Sequence, residues 1–251
     1  MDKNKFTTQR AFLKDTLRLQ IDFRQTDQNL GQEPPAIQKP LSEGQVLIVL
    51  PATSTFKAFH GADLVDAIGN RRSHRRYRDV PLSLAELSFL LWATQGVTEV
   101  LAPGSALRTV PSAGCRHAFE TYLVVNNVET LENGVYRFLP VEHALVFEHE
   151  IENLPTRLAQ ATLGQAFIAT APVTFVWAVI PYRMEWRYDV AAHRVIAMDV
   201  GHVCQNLYLA CEAVGAGTCA IAAYHQEKMD ELLMADGENE FTIYLAPVGK
   251  I

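Results

Sequence analysis

One nine-residue run, PVTFVWAVI at 172–180, constrains the fold of this chain more than any other feature. It falls far short of the roughly 18 apolar residues that signal a membrane span. It is also too apolar for a strand with one face in water. Such a run reads as a strand buried on both faces, near the centre of a sheet. TYLVVNNV (121–128) reads as another buried strand, and FTIYLAPVG (241–249) as the last one. GVYRFLP (134–140) and ALVFEHE (144–150) read as a hairpin across the short polar stretch VEH.

Helical signals are interleaved with these strands. DLVDAIGNRRS (63–73) opens on a capping Asp. SLAELSFLLWATQG (83–96) has Ser83 as N-cap, Glu86 three residues on and Gly96 at its end. NLPTRLAQATLG (153–164) is a third helix. The clearest is the fourth, where Ile196, Val200, Val203, Leu207, Cys211 and Val214 recur at spacings of three and four before Gly215 and Gly217. The elements do not follow strict βαβ order, so an α+β layered domain is expected over 63–251. Before it, Phe12, Leu13, Leu17 and Ile21 could form one short amphipathic helix. The segment GQEPPAIQKP, with three prolines in ten residues, reads as an extended arm wrapped over the domain or as a flexible leader. Residues 1–62 are therefore expected to be this helix and arm.

With 251 residues, 49% of them hydrophobic, the chain can bury a sizeable core. Its formal net charge of -6 argues against nucleic acid as a partner. None of the four cysteines sits in a C-x-x-C pair, and the eight histidines show no metal spacing, so no metal site is expected. MDKNKFTTQR lacks an apolar signal core, and reduced thiols in the cytoplasm are expected.

Against this acidic background, GNRRSHRRYRDVPLS (69–83) holds five arginines between Arg71 and Arg78. A run of this kind can be a solvated face. Yet it contains no lysine, it includes a serine hydroxyl, and it lies between a helical stripe and a turn. Guanidinium forks suit bidentate phosphate binding. Lys250, after Gly249 at the end of the last strand, could reach the same anion. Two small-residue loops, Pro111-Ser112-Ala113-Gly114 and the GAGTCAIAAY stretch (215–224), would let a flat ligand approach the backbone. With no G-x-G-x-x-G, a phosphorylated mononucleotide is favoured over a dinucleotide.

The motifs RRSHRRY, LSFLLWATQGVT, RTVPSAGCRHAFETYLVV, DVGHVCQNLYLACEAVGAGTCAIAAY and YLAPVGK, in that order, resemble the nitroreductase superfamily of FMN flavoproteins, and within it the SagB-type, azoline oxidase-like dehydrogenases. The resemblance spans about residues 63–251. It implies a three-layer α+β fold with a mixed, mainly antiparallel central sheet flanked by helices, and a homodimer with FMN at the subunit interface. It assigns Arg71, Arg72 and Ser73 to the phosphate and ribityl chain, Arg75 to the flavin N1 and O2 edge, and Lys250 to the phosphate. Pro111, Ser112, Ala113 and Gly114 would pack on the ring, often from the partner subunit. Ile221, Ala222 and Ala223 would turn a backbone N–H toward N5, and Gln95 would meet the ring edge. Relatives often carry Gly after the Tyr of WRYDVAAHR, where this chain has Asp189.

The resemblance implies an FMN-dependent oxidoreductase that moves hydride from NAD(P)H or another donor to a small organic acceptor by a ping-pong mechanism. Flavin binding without turnover, consumption of flavin, and azoline-type dehydrogenation of a peptide are the alternatives. No side-chain nucleophile is needed and none is assigned. His117 is read as a hydrogen-bonded structural residue or a proton donor. His202 is read as buried, Cys204 and Cys211 as core, and one of Gln205 and Asn206 as a clamp on neighbouring backbone. Tyr188 and Arg194 are candidate pocket residues.

Overall fold

A computed structural model of the protein describes residues 5–59 and 62–251; the first four residues of MDKNKFTTQR lie outside that range. The chain runs α1 (Thr7–Phe12), β1 (Leu47–Val49), α2 (Leu64–Asn70), α3 (Leu84–Gln95), β2 (Val97–Ala102), β3 (Ser105–Arg108), β4 (Phe119–Val125), β5 (Gly134–Leu139) and β6 (Ala144–His149). It continues through α4 (Leu154–Ala161), β7 (Val173–Val179), α5 (Tyr182–Tyr188), α6 (Ala192–Ala213), β8 (Ala216–Thr218), α7 (Gln226–Leu233) and β9 (Phe241–Lys250).

Seven strands form one sheet in the order β1-β6-β5-β4-β7-β9-β8. Every strand pair in it is antiparallel. The apolar run at 172–180 supplies β7, interior to the sheet and buried along its whole length. Its period of two divides the core. Leu123, Val125, Phe175, Trp177, Ala246 and Val248 belong to the cluster that packs with α3 and α6. Tyr122, Val124, Val176, Ala178 and Leu245 belong to the cluster that packs with α4 and α7. The result is three layers with helices on both faces of the sheet, the α+β architecture expected from the sequence. β2 and β3 form a separate hairpin.

Local signals place the helices that matter for the site. Asp63 accepts from the N–H groups of Val65 and Asp66 and starts α2. Ser83 and Glu86 form the reciprocal capping box at the start of α3. The N-terminal stripe differs from expectation. α1 stops at Phe12 and a 3-10 turn covers Asp15–Gln20, with no buried residue in either. Leu13 and Leu17 find no core to pack on, and a helix this short needs tertiary burial to persist.

The Pro-rich arm is held by its backbone. Arg137 donates to the carbonyls of Lys39 and Pro40 at 3.0 and 3.2 Å, and Arg108 donates to that of Ile37 at 2.6 Å. The Lys39 N–H returns a bond to Glu120 at 2.8 Å. Prolines suit this strap because the carbonyls serve as acceptors and the missing N–H groups need no partner. Glu120 is the centre of the arrangement. It is 2% exposed, accepts from Arg183 and lies 3.8 Å from Arg137. Neutralising it leaves the buried Arg183 without its anion and Arg137 with Glu148 alone, at 2.6 Å. Glu120→Gln is expected to lower the unfolding free energy by about 3 kcal/mol in urea titrations. A midpoint equal to wild type would show that water, not Glu120, compensates these arginines.

Candidate functional site

After α2 the arginine-rich segment leaves the helix and lies against the edge of the sheet. Ser73 forms a single parallel bridge to Thr218, and the His74 N–H donates to the Thr218 carbonyl at 2.9 Å. The Arg78 N–H donates to the Lys250 carbonyl at 2.9 Å, and the Tyr77 hydroxyl donates to the His74 carbonyl at 2.8 Å. The approach is close enough to require two glycines. A Cβ at Gly217 would lie 2.8 Å from the Cβ of His74, and one at Gly249 would lie 2.9 Å from the Cβ of Tyr77. Real Cβ atoms do not come that near, so β8 and β9 are bare where the bend crosses them.

The bend keeps its positive charge. Among the described residues, no carboxylate comes within 4.0 Å of the guanidiniums of Arg71, Arg72, Arg75, Arg76 or Arg78. Arg72 donates to the carbonyls of Gly69 and Arg71 at 3.0 and 2.8 Å. Arg71 lies over the Tyr208 ring at 5.2 Å, and Arg75 over Phe167 at 6.0 Å. Arg72, Ser73 and Arg75 are exposed and Arg71 is half-buried.

Ile221–Ala223 follows β8 and Cys219. Ile221 exchanges both backbone bonds with Leu245, at 2.8 and 3.2 Å. Ala222 and Ala223 are exposed, and neither N–H has a partner among the described residues. The Ala223 carbonyl accepts from Gln165 at 2.9 Å. This leaves two free amide donors next to the segment that carries Thr218.

Two expected contacts differ in their surroundings. Lys250 brings its backbone to the bend, but its ammonium binds the Glu86 carboxylate and the Val214 carbonyl, the latter at 2.6 Å. Gln95 is 1% exposed, and its Oε1 accepts from Arg108 at 2.7 Å. It sits under the surface at the end of α3 and presents nothing outward.

The loop Pro111–Gly114 is held elsewhere on α6. The Ala113 N–H donates to Asp199 Oδ2 at 3.2 Å, and Ser112 Oγ accepts from the His117 N–H at 3.0 Å. Burial pushes the Asp199 carboxyl above its ordinary range, against the opposing effect of the bonds from Ser112 and Ala113. Asp199 stands nine residues, about 14 Å, along the helix from Tyr208. Within one chain, loop and bend are thus anchored at separate points. Tyr188 lies over the loop, and Arg187 is beside it. Asp189, next in the chain, has φ 51° and ψ -145°, backbone that glycine adopts without strain.

Other residues resolve plainly. Asn206, rather than Gln205, clamps backbone, donating to the Ala93 carbonyl at 2.8 Å. Cys204 and Cys211 are core. His202 is exposed on α6, where a buried side chain was expected, because its helical position faces away from the sheet. Arg194 pairs with Asp15 at 3.1 Å. Sequence reasoning missed Tyr208, and it read Gly217 and Gly249 only as small or terminating residues, not as the crossing points of the bend.

Residues 68–250 match the Nitroreductase family. The chain belongs to that family. It is 37% identical to the nitroreductase-family protein MJ1384 of Methanocaldococcus jannaschii over 187 residues, 74% of this chain and 90% of the relative. It is 30% identical over 149 residues to the trifolitoxin-processing protein TfxB of Rhizobium leguminosarum bv. trifolii, covering 53% of this chain and 38% of that protein. Among solved structures, a nitroreductase-family protein of Ralstonia eutropha superposes with a TM-score of 0.66 at 26% identity, over 87% of this chain and 93% of its own. The Escherichia coli microcin synthetase complex, with truncated pro-MccB17 bound, has a chain of like fold: TM-score 0.60, 19% identity, 85% of this chain and 78% of that one. Family membership makes this chain a nitroreductase-type oxidoreductase. No helix among the described residues is long and apolar enough to cross a membrane.

His117 is 3% exposed, and burial, with Arg108 nearby, pushes it down to about 3. It is neutral and bonded to the Ala106 carbonyl at 3.0 Å, a structural role. The unfolded side chain takes a proton near pH 6.5 that the folded one refuses. Its stabilising contribution is therefore complete above pH 6.5 and declines as pH falls toward about 3. Unfolding measured across that window should lose stability less steeply in His117→Gln than in wild type; parallel curves would assign the acid sensitivity to other groups.

Proposed function

We propose that the chain is an FMN-dependent oxidoreductase whose arginine bend holds the phosphate of the cofactor. The observation that carries this reading is the uncompensated guanidinium group of Arg71, Arg72 and Arg75, laid on the sheet edge where Ser73 bridges Thr218, in the segment that leads on to the free amides of Ala222 and Ala223. A dianionic phosphate supplies the charge that the bend lacks. The free amides suit a ring nitrogen or carbonyl, and the bare backbone of this segment allows a flat ring to approach. When bound, FMN supplies the centre that accepts and releases hydride. Arg71, Arg72 and Ser73 bind its phosphate end, Arg75 offers positive charge at the pyrimidine edge, and Ala222 or Ala223 donates a backbone hydrogen bond. The Glu86 ion pair leaves Lys250 a backbone support of the bend rather than a free cation.

The reading includes a homodimer in the cytoplasm. Leu64, Val65 and Ile68 expose 64%, 77% and 59% of their surface on α2, and Met198 exposes 47% on α6, an apolar surface suited to a second copy. Pro111, Ser112, Ala113 and Gly114 would then serve the partner's ring, in keeping with their separate anchor at Asp199. NAD(P)H is the favoured donor, and a donor and an acceptor using one open face in turn give ping-pong kinetics. The similarity to a trifolitoxin-processing protein supports a second reading of the acceptor side, SagB-type dehydrogenation of an azoline in a peptide.

Two measurements test the reading. Arg71→Ala with Arg72→Ala should weaken FMN binding by about 1.5–3 kcal/mol per lost charged hydrogen bond, read by fluorescence quenching; unchanged affinity removes the clamp. Anaerobic titration of the FMN-loaded protein with NADH and with NADPH should bleach the oxidised-flavin absorbance with one of them, and air should restore it. Absence of bleaching with both would leave binding without nicotinamide turnover.

A further inference from the structure

Tyr208 occupies a junction that the family match does not explain. It lies on α6, and its hydroxyl is 2.9 Å from Ser73 Oγ and 2.9 Å from the Ala220 nitrogen. The same ring lies under the Arg71 guanidinium at 5.2 Å. One side chain thus touches the arginine bend twice and the segment leading to Ala222 once.

The chemistry of the three groups sets a direction. An amide N–H can only donate, so the phenol oxygen accepts from Ala220. The phenol has one hydrogen of its own, and Ser73 Oγ is within reach of it. When that hydrogen goes to Ser73, the serine hydrogen is left for another acceptor, the Cys219 sulfur beside it or an anion outside. Ser73 and its neighbour Arg72 are exposed, and Arg71 lies over the same Tyr208 ring that Ser73 meets. An anion there can only accept. It therefore selects the chain Ala220 N–H to Tyr208 O–H to Ser73 O–H to anion, in which each bond polarises the next.

We propose that Tyr208 is a positioning residue for the phosphate: it turns Ser73 into an outward hydrogen-bond donor. This inference rests on the flavin reading above and adds to it the hydroxyl that aims Ser73. It predicts an effect confined to the phosphorylated ligand, because riboflavin carries the same ring and ribityl chain but no anion for Ser73 to meet.

The test is a set of dissociation constants for FMN and for riboflavin on the full chain freed of bound flavin, for wild type, Tyr208→Phe, Ser73→Ala and the double variant. Tyr208→Phe keeps the ring under Arg71 and removes only the hydroxyl. FMN affinity is expected to fall about tenfold while riboflavin affinity stays within about twofold. Adding Ser73→Ala to Tyr208→Phe should cost little more, because both substitutions act on one hydrogen bond to the anion. Equal FMN affinity in wild type and Tyr208→Phe, an equal loss for both ligands, or full additivity of the two substitutions would each overturn the assignment. A wild-type protein that binds neither flavin would overturn the flavin reading itself, and the role of Tyr208 with it; that failure shows in the wild-type arm alone.

Discussion

The close crossing of the arginine bend over β8 and β9 is the contact on which the site depends. It needs backbone at Gly217 and Gly249 with nothing attached, since His74 and Tyr77 take the space that side chains would fill. Once the bend is there, its backbone groups are used inward, His74 to Thr218 and Arg78 to Lys250. The guanidiniums are then left on the outer side, where no carboxylate among the described residues meets them. Five like charges in eight residues repel one another, and that repulsion opposes ordering unless the backbone is independently held. The sheet edge does the holding.

The same logic explains the buried charge at the opposite end of the domain. Arg108, Arg116, Arg137 and Arg183 are each less than 10% exposed, yet they serve packing rather than recognition. Their guanidiniums are turned on backbone carbonyls of the arm, the hairpin and α5, and on Glu120 and Glu148. Arginine suits both tasks because its fork can grip two carbonyls as readily as two phosphate oxygens. What separates the two groups is compensation, which neither residue type nor spacing reveals.

This separation marks how far the sequence could be read. β7 was legible because a strand buried on both faces is apolar almost throughout, and β4 and β9 because of the apolar runs Tyr122–Val125 and Ile243–Val248 inside them. α6 was legible because its stripe recurs along six positions. The β2–β3 hairpin was missed because it stands outside the main sheet and exposes Val100, Leu101 and Leu107, so no buried face imprints a pattern on it. α7 was missed because only four of its eight residues are buried, and polar residues dominate it. In the site, the arginine bend and the two small-residue loops stood out by composition. Gln95 and Lys250 were selected by place in a motif, and motif position carries no information on whether Arg108 or Glu86 has already engaged them.

Tyr208 shows the complementary case, a residue hidden by its neighbours. It lies between Leu207 and Leu209 on a helix whose apolar stripe reads as core, and an aromatic there draws no notice. Its ring does pack against that core. Its hydroxyl, however, extends beyond the apolar layer to Ser73 and Ala220, two residues 147 positions apart that no local pattern could associate. A tyrosine suits such a junction because its ring can be buried for stability while its oxygen reaches a polar surface. The same side chain therefore ties the stability of the α6 layer to the geometry of the arginine bend. A substitution that preserved the packing and lost only the oxygen would uncouple the two.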